Sequence, residues 1–209
     1  MKIGILGSGD VAKSFAIAFL AHGDDVMLGT RDVKKLAEWQ GEHANAKVGT
    51  FAETASFGEI VVLATLGTAT VEAIGLAGTE AFDGKVVIDA TNPLRFDQSG
   101  PHLAISGDDS AGERVQAAIP NAHVVKAFNT VGNELFYQPK LKGGPPTMFV
   151  AGNDDGAKAK VAGILHDFGW ESADIGGIES SRYLEAMCLA WVWYAIKGDH
   201  RAHAFKMLR

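Results

Sequence analysis

Lys2-Ile3-Gly4-Ile5-Leu6-Gly7-Ser8-Gly9-Asp10-Val11-Ala12 is the stretch on which the reading of this chain turns. Its first half is a short apolar run carrying β-branched Ile3 and Ile5, the composition of a buried strand. Its second half sets glycine at the first and third positions of a turn and alanine at the sixth, and helix formers follow. Gly7 permits a tight turn, Gly9 lets the backbone approach a ligand closely, and the small Ala12 lets the helix pack on the strand. A helix that starts there presents unpaired amide N–H groups and a partial positive charge, which suit a pyrophosphate. Placed directly between a strand and a helix, Gly7, Ser8, Gly9, Asp10 and Val11 are expected to hold a dinucleotide. The alternative is a glycine-rich turn that holds no ligand.

Outward from that stretch, short β-branched runs alternate with amphipathic segments. The pattern predicts strands over 3–6, 25–28, 60–64, 86–89, 123–127, 147–151 and 171–174. Helical periodicity covers 11–21, 33–40, 69–76, 111–118 and 156–168, with a final helix over about 180–197. Unbroken apolar strands such as Ile60-Val61-Val62-Leu63 are expected in a parallel sheet buried on both faces. The fold class implied is α/β: a Rossmann-type doubly wound parallel sheet with a small C-terminal strand and helix extension. One domain is expected over 1–209, with a core to about 140 and the extension over 141–209. The connection over 92–109 has little periodicity and carries Pro93, Gly100, Pro101 and Gly107, so it reads as a long loop beside the site.

The end of the second strand decides which nucleotide. It reads Leu28-Gly29-Thr30-Arg31-Asp32, with Lys35 a turn later. An NAD binder usually carries an acidic side chain there for the ribose hydroxyls. Here Thr30 can donate to a 2′-phosphate, Arg31 can pair with it through its planar fork, and Lys35 adds a point charge. Asp32 reads as the N-cap of the next helix. The cofactor expected is therefore NADP(H). The alternative leaves Arg31 and Lys35 as a solvated helix start. The third and fourth strands lead into Ala64-Thr65-Leu66 and Asn92-Pro93, two further turns at the carboxyl edge where such sheets bind ligands. Asn92 can equally close its own turn through backbone bonds.

Composition narrows the class. With 47% hydrophobic and 21% charged residues in 209, the chain can bury a sizeable core. A net charge of −6 argues against a nucleic-acid partner. The basic cluster near the end, Arg201, Lys206 and Arg209 with His200 and His203, reads as a solvated tail. The lone Cys188 excludes an intrachain disulfide, points to a cytoplasmic setting and lies in an apolar run that favours a buried thiol. No membrane partner is expected, because the longest apolar stretch, 186–196, falls short of the roughly 20 residues a span needs. The chain also enters its first strand without a secretory segment.

Taken with Gly7–Ala12 and Thr30-Arg31, the segments Asp89–Leu94 and Val125-Lys126-Ala127-Phe128-Asn129-Thr130-Val131 give the chain a resemblance. It is similar over nearly its whole length to the NADPH-dependent reductases of the deazaflavin coenzyme F420 (also written F-420), whose fold recurs in the cytosolic domain of transmembrane ferric reductases. The resemblance implies phosphate contacts from Ser8, Gly9, Asp10 and Val11, and 2′-phosphate contacts from Thr30, Arg31 and Lys35. It implies nicotinamide-side contacts around Thr65, Leu66, Asn92 and Ala127, and F420 or a flavin as co-substrate. It further implies a last helix, entered through Ser181-Arg182-Tyr183-Leu184-Glu185, that covers the substrate face and joins subunits into a homodimer. Bulky Trp191, Trp193 and Tyr194 stand where the archaeal enzymes tend to carry smaller aliphatic residues.

Hydride transfer to a small-molecule ring acceptor asks for face-to-face placement, whereas carbonyl or imine reduction asks for a proton donor. No Tyr-x-x-x-Lys pair is present, which leaves His102, His123 and Lys126 as donor candidates near the carboxyl edge. No catalytic residue is assigned. His200 and His203 lie three apart without an evident third ligand, so no metal site is expected. Two alternatives stay open: a reductase of a small carbonyl or imine compound, and a non-catalytic module that senses NADP(H).

Overall fold

The computed structural model describes residues 1–198 and 200–208. Ten strands form: β1 (Lys2–Leu6), β2 (Asp25–Gly29), β3 (Lys47–Gly49), β4 (Ile60–Leu63), β5 (Val86–Asp89), β6 (Leu94–Asp97), β7 (Gly100–Leu103), β8 (His123–Lys126), β9 (Thr147–Gly152) and β10 (Glu171–Asp174). Between them lie α1 (Asp10–His22), α2 (Ala37–Glu42), α3 (Phe51–Phe57), α4 (Thr70–Ala77), α5 (Ala111–Ala118), α6 (Asp155–Asp167) and α7 (Ser181–Gly198). Eight strands join one sheet in the order β10-β9-β8-β5-β4-β1-β2-β3, and β6 pairs with β7 as a separate hairpin.

From β3 to β8 every pairing is parallel, and the order reverses between β1 and β4. Alternate side chains on β4 explain the layers. Ile60 and Val62 enter a core with Phe15 and Phe19 of α1 and Val161 and Leu165 of α6. Val61 and Leu63 face the other way, against Ala55 of α3, Ile74 of α4 and Val115 of α5. Each fully buried aromatic or aliphatic side chain of this kind stabilises the fold by about 1.5–3 kcal/mol relative to exposure.

Three features depart from the sequence expectations. The sheet is not parallel throughout: β9 runs antiparallel to β8, with Lys126 opposite Ala151, and β10 then pairs parallel to β9. The connection over 92–109 is not structureless, since β6 and β7 fold back antiparallel around Asp97, whose carboxylate accepts from the amide and hydroxyl of Ser99 at 2.7 and 2.6 Å. Gly100 closes that turn at φ +107°, a conformation glycine tolerates. Most of β6 is exposed, so it lacks the apolar alternation that betrays a strand. Finally, the basic tail is solvated only in part: His200, Arg201 and Lys206 are exposed as expected, but its backbone is docked. Phe205 accepts from the Thr147 amide at 2.9 Å, the Met207 amide donates to the Thr147 hydroxyl at 3.1 Å, and Trp191 Nε1 donates to the His203 carbonyl at 2.9 Å. Arg209 of the same cluster lies outside the described residues.

Candidate functional site

The carboxyl ends of β1, β2 and β4 open onto a cleft of about 480 Å³. Its floor is the turn after β1. Gly7 sits at φ +148°, its amide donates to the Gly29 carbonyl at 3.0 Å, and a Cβ there would run into the Ala64 carbonyl. The turn is therefore clamped between the neighbouring strands, and glycine is required by both space and dihedral. Gly9 differs. Its φ of −85° suits any residue, and a Cβ on it would meet nothing within 4 Å. The space above Gly9 opens into the cleft, at the N-cap of α1, a helix with no side-chain cap. Uncapped first-turn amides beside an unfilled cradle fit a pyrophosphate.

At the other end of the cleft, Thr30 is buried, its amide donates to the Gly49 carbonyl at 3.0 Å, and its hydroxyl accepts from the Asp32 amide at 3.3 Å. Asp32 caps the following turn by accepting from the Lys34 amide at 3.1 Å, as its N-cap reading requires. Arg31 and Lys35 project into the cleft with their charges free to meet an anion. The Arg31 guanidinium has an exposed partner, Glu72 of α4, at 3.9 Å, a separation at which an ion pair adds little stability. Phe51 from α3 adds an apolar wall, and Leu66 lies across the mouth with 78% of its surface in the open. An apolar side chain left uncovered there suits a planar ring laid over it.

The cleft thus brings together the expected residues of the phosphate loop, Thr30, Arg31 and Lys35, and Ala64, Thr65 and Leu66. Asn92, Pro93 and Ala127 are not among its walls. Asn92 ties two turns at the carboxyl edge: its Nδ2 donates to the Asn129 carbonyl at 2.8 Å, and its Oδ1 accepts from Asn129 Nδ2 at 3.0 Å. The same Asn129 amide donates to Leu184 of α7 at 2.9 Å, while its Oδ1 is buried without a partner. The preceding Phe128 is held at φ +62°, unusual for a bulky residue, with its ring buried against Phe15 and Phe136. Ala127 is fully buried behind this turn. Asn129 and the cleft-wall residues Phe51, Glu72 and Asn133 carry no local motif that marks them, and Arg201, expected in a solvated tail, is a further wall of the cleft.

The donor candidates fare unequally. His123 begins β8, so it stands at the amino edge, opposite the cleft, 3.6 Å from Asp154. Lys126 is wholly buried between Asp89 at 2.9 Å and Glu185 at 2.8 Å. Burial works against its charge, but attraction from Asp89 and Glu185 outweighs it and holds the ammonium pKa above its ordinary value. Such an ammonium keeps its proton at neutral pH and points at carboxylates, away from any substrate. Glu185 also accepts from the amides of Ala111 and Gly112 at 3.1 and 3.0 Å, so it fixes α7 to the start of α5. His102 lies on β7, 3.6 Å from Asp97. Burial pushes the Cys188 thiol up to about 12, consistent with a packing role. Among the described residues no cluster of three metal-ligating side chains occurs, and no helix is long and apolar enough to cross a membrane.

Comparison with known proteins identifies the family. Residues 2–93 match the family model described as NADP oxidoreductase, coenzyme F420-dependent. A crystal structure of an Arthrobacter sp. FB24 protein, described as a candidate F420-dependent NADP reductase, superimposes with a TM-score of 0.95 at 36% identity, covering 100% of both chains. The F420-dependent NADP reductase of Methanothermobacter marburgensis is 28% identical over 88% of either chain. The metalloreductase STEAP3 of Rattus norvegicus is 30% identical over 90% of this chain, which spans only 36% of that longer protein. A Rossmann sheet thus accompanies full-length similarity, and the chain belongs to the coenzyme F420-dependent family of NADP oxidoreductases.

Proposed function

We propose that this protein transfers a hydride between NADPH and a planar ring acceptor of deazaflavin or flavin type. The observation that carries the reading is the combination of a cleft built for a phosphorylated dinucleotide with a carboxyl edge whose one buried cation, Lys126 among the described residues, is locked between carboxylates. NADPH supplies the hydride, and the chain's task is binding, orientation and exclusion of water. First-turn amides at Gly9, Asp10 and Val11 hold the pyrophosphate. Thr30, Arg31 and Lys35 hold the 2′-phosphate, with Arg31 turning from Glu72 to the better anion. Thr65 and Leu66 guide the dinucleotide along the edge toward Asn92 and Pro93, the end we assign to the nicotinamide; Ala127, fully buried, supports that end from behind.

The acceptor lies over that end, beside the wall formed by the β6–β7 hairpin and α7. Those two elements are packed together: Gly100 sits so close to the Trp193 ring that a Cβ would come within 2.7 Å of it. A ring acceptor takes a hydride without a protein acid, which suits this lining better than carbonyl reduction does. We assign the outer stripe of α7, where Tyr183, Trp193 and Tyr194 are exposed, to contact with a second copy. The reaction is tested by following NADPH absorbance with F420, FMN, ferric chelates and small aldehydes offered separately. Turnover with F420 or FMN is the expected result, and turnover with aldehydes alone would refute the assignment.

A further inference from the structure

We propose that Arg201, carried by the segment that follows α7, is a cofactor-binding residue that reaches over the cleft and pairs with the bridging pyrophosphate of the dinucleotide. The inference rests on the NADP reading of the cleft. Arg201 is one of the cleft's walls although it lies 190 residues or so from the phosphate loop in sequence, and its placement is fixed from both sides. Before it, the His200 amide donates to the Ala195 carbonyl of α7 at 3.1 Å. After it, the His203 ring stacks on Trp191 with centroids 4.7 Å apart and planes 10° from parallel, while the His203 carbonyl accepts from the Trp191 indole. Further on, Phe205 and Met207 bond to Thr147. Because β9 runs antiparallel to β8, Thr147 lies beyond the carboxyl end of β8, which brings the segment to the cleft side of the sheet.

Charge identifies what the arginine meets. Among the described residues, the cations lining the cleft are Arg31, Lys35 and Arg201. The first two belong to the turn after β2, at the 2′-phosphate end. Arg201 stands at the other end: its weak ion partner is Glu134 at 3.6 Å, next to Asn133, whose side-chain amide donates to Ser14 of α1 at 2.8 Å. It is therefore beside the first turns of α1, where the pyrophosphate binds and where the core offers only amides. The nearby Asp10 adds a negative charge to that stretch, so a cation there offsets it. The Arg201 side chain is 66% exposed and, among the described residues, makes no other ion pair, which leaves its fork available for a diphosphate.

The test is affinity for two probes, NADPH and adenosine 2′-monophosphate, the second carrying the ribose phosphate without a pyrophosphate. Arg201→Ala is expected to weaken NADPH binding roughly tenfold, as loss of a charge-assisted pair does, and to leave adenosine 2′-monophosphate unaffected. Arg201→Lys, which keeps the charge without the fork, is expected to fall between. Arg31→Ala, measured in parallel, should weaken both probes. If Arg31→Ala weakens both while Arg201→Ala binds NADPH like the parent, the cleft stands and the proposal for Arg201 is overturned. If neither variant weakens NADPH, the placement of the nucleotide is wrong and the proposal falls with it.

Discussion

Two residues of the cleft separate folding from binding. A methyl added at Gly9 meets nothing in the folded protein and its backbone is ordinary, so Gly9→Ala should change stability by less than about 1 kcal/mol. The same methyl intrudes where a pyrophosphate must approach the α1 amides, and NADPH affinity should fall by about tenfold or more. Thermal melts and fluorescence titration of one variant check both halves. A change that unfolds the protein, or leaves affinity intact, would contradict the assigned cradle. Arg31→Ala acts on discrimination instead. Removing the fork should lower NADP affinity by about 1.5–3 kcal/mol and leave NAD nearly unchanged, read from the two dissociation constants. Gly7, Gly9, Thr30 and Arg31 were legible in the sequence because each answers to a local rule of turn geometry or charge. Asn129 was not: its importance comes from bonds to Asn92 and Leu184, which are distant along the chain.

At the scale of elements, the Asp89–Lys126–Glu185 triad joins β5, β8 and α7. Removing one member leaves uncompensated charge in the interior, and Lys126→Met should cost about 3–5 kcal/mol in a urea melt. The pH dependence has a definite sign. A lysine whose folded pKa is raised contributes stability that is fully present below its unfolded value of about 10.4 and is lost as pH rises through the folded value. The parent should therefore keep this contribution unchanged from neutral pH to about pH 10.4 and lose it only above that. A parent stability that already loses it between neutral pH and pH 9 would contradict the paired, charged state. Elements with a strong burial signature, such as the unbroken apolar run of β4 and the helical period of α6, could be read from sequence because burial imposes the pattern. Short β3 and the exposed β6 impose none. Helix α3 did leave a local signal, the Thr50–Glu53 capping box, in which each side chain serves the other's amide. The antiparallel turn of β9 left none, since strand direction depends on where the chain crosses the sheet.

For the whole molecule, eight strands form one sheet and the segment after α7 returns to the cleft, so the end of the chain bears on a site built at its beginning. That return could not be read from a run of basic residues, because the residues that dock it, Trp191 and Thr147, are neither basic nor adjacent. Outward-facing Tyr183, Trp193 and Tyr194 on α7 lead us to expect a homodimer. Sedimentation velocity should give twice the chain mass at micromolar concentration, and Trp193→Glu should lower it toward one. A monomer at high concentration would contradict that expectation.

The central claim is direct hydride transfer to a ring acceptor, and isotope transfer tests it most directly. NADPH carrying deuterium at both C4 positions of the nicotinamide is incubated with the enzyme and oxidised F420 in ordinary water, and the reduced deazaflavin is analysed by mass spectrometry. Deuterium retained at C5 of the deazaflavin is the predicted result. Reduced product carrying only solvent hydrogen, or NADPH bound tightly without reducing F420 or FMN, would contradict it.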